Sequence, residues 1–249
     1  MNKNDNMNYV SLSTQIHYKE YGDIIRPFGP SIMKQTISED MLTDLTTVAN
    51  RLQQFDLKDV DFRGNLAGNI ADERQMMGAV SDDTMLEIKE RIAIYLAMLE
   101  NKPTHQIEHF VRGIYLESLW VNFQKAWEFN PPHQHTGEIS YVIYLENPVD
   151  YEIEAQHPTQ HGTAPMAGKI NFRYGEAMPQ SNHHIRITPT RGDMLIFPNW
   201  LEHQVFPFTQ EGITRISVAG NAGLTRDNIS GMAWQPPYKY KETTANEDE

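Results

Sequence analysis

The chain of 249 residues contains no cysteine. That absence excludes disulfides, thiolate zinc sites, iron–sulfur clusters and a cysteine nucleophile, and it leaves His, Asp and Glu as the strong metal-ligating side chains. Positive charge is scarce: 21 Lys and Arg stand against 33 Asp and Glu, a formal net charge of -12. Such a balance argues against an electrostatic grip on nucleic acid. No apolar run approaches the roughly 20 residues of a membrane span, and the start MNKNDNMNYV is too polar for a signal peptide. A soluble, cytoplasmic protein is expected. No internal repeat is visible.

What is present changes character near residue 105. Between 38 and 54 the pattern predicts an amphipathic helix: Ser38 is placed to cap it, Glu39 and Asp40 sit in the first turn, and Met41, Leu45, Val48, Leu52 and Phe55 recur at helical spacing. A second helix is expected from Asp83 to Glu100, with Met85, Ile88, Ile92, Tyr95, Leu96 and Leu99 on one stripe. Residues 56–80, including RGNLAGNIADE, read as a loop, more a connector than a lid. In residues 1–37 an edge strand over Tyr9–Leu12 is the one candidate element.

Beyond Pro103 the segments 113–123, 138–145, 149–155, 168–174, 183–188, 193–197, 203–208 and 213–220 are short, rich in β-branched and aromatic residues, and divided by Gly, Pro or Asn. They imply an antiparallel sandwich or barrel of jelly-roll type, mainly β, with two or more N-terminal helices buttressing one sheet. Residues 1–105 form the helical support layer in this reading, 106–224 the β core, and 225–249 an extension that ends in a disordered acidic tail.

The chemistry centres on WEFNPPHQHTGEISYVIYL, residues 127–145. Pro131 and Pro132 favour extended backbone, in which residues i and i+2 share a face, so His133 and His135 can aim at one spot. A third ligand is sought downstream and found at His203, the end of GDMLIFPNWLEH. Three protein ligands with open positions suit Fe(II), although nitrogen donors also accept Zn(II), Cu(II) and Ni(II). Arg215 and Ser217 alternate along one strand and share a face, while Ile216 and Val218 point into apolar packing. A guanidinium beside a hydroxyl inside a barrel calls for a carboxylate, hence a dicarboxylate co-substrate.

Residues 108–222 resemble the double-stranded β-helix core of the Fe(II)- and 2-oxoglutarate-dependent oxygenases, and within them the prolyl-hydroxylase-like proteins of bacteria and their phages. The resemblance rests on PPHQHTGEISYVIYLENP, GDMLIFPNWLEHQVFP and TRISVAGN. It implies that His133 and His203 hold iron, that Arg215 with Ser217 grips the far carboxylate of 2-oxoglutarate, and that Tyr144 bonds the same group. It also implies O2 as co-substrate, a peptidyl proline, another protein side chain or a small molecule as prime substrate, and hydroxylation with release of succinate and CO2. No nucleic-acid or membrane partner is expected, and a homodimer is compatible with the chain.

The family carries H-x-D or H-x-E where this chain has His135. Either His135 completes a three-histidine site, or Glu138 swings in, or the position is vacant; the spacing favours His135. A cupin also uses H-x-H and a distal His, and a cupin-type metalloprotein without 2-oxoglutarate is the alternative. However, Glu138 comes too early for that pattern, Trp200 and Pro207 replace its usual Gly and Asn, and Arg215 has no role in it. A non-catalytic jelly-roll binding module is the third reading. His105 and His109 in HQIEH read as surface residues, and His157, His161, His183 and His184 as solvated histidines. Trp120, Trp127 and Trp200 are assigned to packing, the last two near the ligand segments.

Overall fold

A computed structural model describes residues 23–25, 29–100, 107–160, 162, 164–179 and 182–225. The suggested strand over Tyr9–Leu12, the acidic tail, His105 and His161 lie outside them, as does the side chain of His109. Two antiparallel sheets carry the fold. The larger has seven strands, formed by β1 (Asp23–Ile25), β2 (Ile32–Thr36), β3 (Glu73–Gln75), β4 (Ile114–Gln124), β6 (Ile139–Glu146), β9 (Asp193–Pro198) and β11 (Arg215–Leu224), in the order β1-β2-β9-β6-β11-β4-β3. The smaller has four, β5 (Asn130–His133), β7 (Ile170–Arg173), β8 (His184–Ile187) and β10 (Glu202–Val205), in the order β5-β10-β7-β8. From β4 to β11 the chain passes back and forth between the sheets, except that β7 and β8 follow one another in the small sheet, and winds them into a double-stranded β-helix.

Alternation of side chains along each strand builds two cores. On β6, Ile139, Tyr141, Ile143 and Leu145 face outward, where they join Val218 and Ala222 of β11 against the helices; Tyr144 faces inward and packs with Ile170, Phe172, Leu195 and Phe197 between the sheets. The outer layer is α1 (Glu39–Leu52) and α3 (Asp82–Leu99). Ser38 caps α1 by accepting from the Met41 N–H, and Ser81 caps α3 by accepting from Thr84 N–H. The Ser38 hydroxyl also donates to Glu87 of α3 at 2.6 Å, so one residue starts the first helix and fastens it to the second. Fully buried side chains such as Leu45 and Ile92 contribute about 2 kcal/mol each by leaving water. Phe55, placed on the first stripe by spacing, lies past the end of α1 and is exposed. No helix among the described residues is long and apolar enough to cross a membrane.

Two expectations need correction. Segment 149–155 was expected as a strand because VDYEIEA alternates, but it forms a short helix, Tyr151–Gln156. Asp150 caps it, accepting from the N–H groups of Glu152 and Ile153. Glu154 faces inward and is buried, where its carboxylate accepts from the N–H of Thr209 at 2.9 Å and of Gln210 at 3.0 Å. The alternating acids are thus a cap, a solvated face and a buried acceptor, and β5 takes the vacated place in the eight-strand winding. Replacing Glu154 by Ala orphans these donors and is expected to destabilise the protein by about 2–3 kcal/mol in denaturant unfolding; an unchanged midpoint would show the contact to be idle.

Segment 56–80 is more than a connector. It holds a short helix, α2 (Leu57–Val60), a turn of 3-10 helix at Arg63–Asn65, and β3, which pairs with β4 at the edge of the large sheet. Strand β2 went unpredicted because IMKQT has no alternation to reveal it; it is fixed by pairing with β9.

Candidate metal and co-substrate site

His133 ends β5 and His203 lies in β10, and the two are direct cross-strand partners. His135 follows two residues after His133. Its backbone N–H donates to the Asn199 carbonyl, and the Asn199 amide donates back to the His135 carbonyl, each at 3.0 Å. This double tie joins the segment after β5 to the turn before β10. The structure therefore brings the three imidazoles together, each offering a ring nitrogen, with those nitrogens all within 4.8 Å of one another. Nε2 of His135 and Nε2 of His203 are 3.1 Å apart.

The ring orientations suit ligation. Nδ1 of His133 lies 2.7 Å from the Pro131 carbonyl and Nδ1 of His203 lies 2.9 Å from the Leu201 carbonyl. A proton on each Nδ1 donates to that carbonyl and leaves the Nε2 lone pair facing the cluster. Burial lowers all three histidines from their ordinary range, His135 to about 4, and His133 adds to the effect at both His135 and His203. All three are neutral at pH 7, the form that binds a cation. Trp120 stacks on His135 at 5.9 Å between centroids, and Phe62 stacks on Trp120 in turn. The Trp120 indole N–H is anchored on Asn122 Oδ1 at 3.0 Å.

Glu138 is not at this cluster. Its carboxylate accepts from the backbone N–H of Leu224, at the far end of β11. Among the described residues the group able to hold a metal comprises the three histidines alone.

A cavity of about 400 Å³ runs from the histidines to the start of β11, lined among others by Trp120, Asn130, Tyr144, Arg215 and Ser217. Arg215 and Tyr144 are each only 2% exposed. The guanidinium donates to the Gln124 side chain and to the Gly168 carbonyl, and lies 5.9 Å from the centroid of the Tyr144 ring. Gly168 has φ +68, and a Cβ there would press on Tyr151 at 3.2 Å, so this carbonyl is presented by a backbone that glycine alone adopts comfortably. Ser217 sits opposite Tyr144 in the sheet, and its hydroxyl accepts from Asn122.

The decisive observation is what Arg215 lacks. Its Nε is buried with no hydrogen-bond partner, and no carboxylate pairs with it among the described residues. A guanidinium taken out of water without a counter-charge is strongly unfavourable, and an entering carboxylate supplies what is missing. The residues present therefore fit both a divalent metal and a diacid.

Residues 118–221 match the family described as "Putative 2OG-Fe(II) oxygenase". The matched stretch, less than half of the chain, is similar to the family of the 2OG-Fe(II) oxygenases. Its members use Fe(II), 2-oxoglutarate and O2. Similar solved structures include a prolyl-4-hydroxylase from Pseudomonas putida (15% identity, 78% of this chain and 92% of that chain, TM-score 0.45). Another is HygX from Streptomyces hygroscopicus with nickel, 2-oxoglutarate and hygromycin B bound (11%, 78% and 83%, 0.48). A third is a prolyl hydroxylase from Trichoplax adhaerens in complex with a hypoxia inducible factor peptide (11%, 83% and 88%, 0.44). No curated protein matches the chain. At such identities the likeness concerns the fold.

Several residues around the β core carry contacts that the sequence pattern does not reveal. Gln124 lies one residue past the strand expected over 113–123; only the register, which sets it opposite Arg215, reveals it as that residue's partner. Trp120, assigned to packing, lines the cavity and supports His135. Trp127 is half exposed, edge-on to His157. Trp200 lies beside Tyr174, and neither it nor Trp127 lines the cavity.

Proposed function

We propose that the protein is a 2-oxoglutarate-dependent oxygenase, a hydroxylase of the prolyl-hydroxylase kind, acting on a protein side chain or a small molecule with release of succinate and CO2. In this reading His133, His135 and His203 hold Fe(II) through neutral imidazoles. Arg215, Ser217 and Tyr144 receive the far carboxylate of 2-oxoglutarate at the closed end of the cavity. The bound iron supplies oxygen activation, coupling decarboxylation of 2-oxoglutarate to oxidation of the prime substrate.

The chain's own residues orient and exclude. The carbonyls of Pro131 and Leu201 hold the His133 and His203 tautomers, and Trp120 covers one face of His135. Tyr144 and Phe208 flank the guanidinium with apolar ring surface, which strengthens any charge pairing made there. The phenol of Tyr144, pushed upward by burial, stays protonated and can donate.

The observation that carries the reading is the buried Arg215, with no acid partner among the described residues, at the end of a cavity whose other wall is the histidine cluster. Anaerobic titration with Fe(II) and 2-oxoglutarate tests it. A visible charge-transfer band is expected on adding both, together with succinate formation in air, and Arg215→Ala should weaken 2-oxoglutarate binding by roughly a hundredfold or more. An affinity that does not respond to Arg215→Ala would sink the assignment. A cupin-type protein would bind metal and ignore 2-oxoglutarate; a binding module would ignore both.

A further inference from the structure

The small sheet has a second face. Inward from it point His203, Phe172 and Ile187, so the intervening residues of β7 and β8, Asn171 and Arg173 with His184 and Arg186, share the outward face. Register sets Asn171 beside Arg186 and Arg173 beside His184. Together with His183 they line a groove of about 310 Å³ that lies on the other side of His203 from the cavity holding Arg215, His203 bordering both.

The groove is a cationic island on a chain of net charge -12. Two guanidiniums and the imidazoles of His183, His184 and His203 meet one carboxylate, Glu202, which reaches Arg173 at a loose 3.9 Å. Arg186 has no ion pair among the described residues, and its Nε is buried without a hydrogen-bond partner. Asn171, its cross-strand neighbour, is 6% exposed, and its Oδ1 also has no partner. Buried groups of this kind are costly until something satisfies them. His184 is held below its ordinary range by burial first and then by Arg186, His183 and Arg173, as expected where positive charge collects without balance.

We propose that this groove is a binding site for a phosphate group, either the free ion or a small phosphate monoester. Anionic oxygens accept from the Arg173 and Arg186 forks, which suit tetrahedral oxyanions. The P–O–H of hydrogen phosphate, or of a monoester bound in its singly ionised form, donates to Asn171 Oδ1, so one ligand meets the unpaired donor and the unpaired acceptor together. Sulfate at neutral pH has the oxygens but no O–H to give.

Calorimetric titration of the full-length protein with inorganic phosphate, sulfate and O-phosphoserine tests the site, with 2-oxoglutarate kept saturating so that Arg215 is occupied. Saturable phosphate binding is expected, roughly tenfold or more weaker in Arg186→Met and in the more exposed Arg173→Gln, with sulfate clearly weaker than phosphate. O-phosphoserine binding as well as the free ion would assign the site to monoesters, and phosphate binding alone would assign it to the ion. No saturable binding, equal affinity for sulfate, or phosphate affinity retained in both folded variants would overturn the proposal.

Discussion

His203→Ala is expected to lower affinity for Fe(II) or Zn(II) by more than about a hundredfold, measured by competition against a chromogenic chelator, because one of three inward Nε2 donors disappears from a site whose supporting contacts alone are typically worth 10–100-fold. His135→Ala should do nearly as much. That second variant is the more informative, since the superfamily resemblance places a carboxylate at this position. If metal affinity survives in His135→Ala and falls in His203→Ala, the third position is not held by His135. His135→Asp should retain binding while making the centre one unit more negative, which shifts metal preference and weakens the hold on a dianionic co-substrate. Neutral ligands would leave a divalent ion with its full charge, which in the proposed function the two carboxylates of 2-oxoglutarate offset, with the charge of Arg215 in excess.

Glu73→Gln is expected to stabilise the protein at pH 8 by about 2–3 kcal/mol and to have little effect near pH 4. Glu73 projects from β3, is 1% exposed, and has one carboxyl oxygen without a hydrogen-bond partner. Burial, and after it the nearby Glu128, raises its pKa to about 7 from an ordinary 4.5, with Arg63 opposing. The folded state therefore binds this proton more tightly than the unfolded chain. Its contribution is complete below pH 4.5 and is lost as pH rises through 7, beyond which a buried carboxylate must be carried uncompensated. Glutamine keeps the shape and removes the titration, so the stability difference between the two proteins should widen between pH 4.5 and 8 in denaturant melts. Parallel curves across that range would mean that Glu73 finds a counter-charge on ionising.

The helices and most strands of the core could be read from the chain because single residues announced them. Ser38 opens its helix, Pro131 and Pro132 impose extended backbone before His133, and the inward–outward alternation of ISYVIYL sorts Tyr144 from Ile143 and Leu145. Segment 149–155 misled because Asp150, Glu152 and Glu154 alternate with apolar residues, and only the distant donors of Thr209 and Gln210 give Glu154 a reason to be buried. The meeting of His133, His135 and His203 rested on order and spacing. Gln124, Asn171 and Arg186 were invisible for one shared reason: what matters about each is its neighbour across a strand pair, and register is not written in either strand alone.

The reciprocal bonds between His135 and Asn199 mean that the two stretches of chain bearing the imidazoles are locked in position by the polypeptide itself. A cation arriving here finds a finished clasp, so little conformational freedom is surrendered on binding, and chelation empties the clasp without unravelling the β-helix around it.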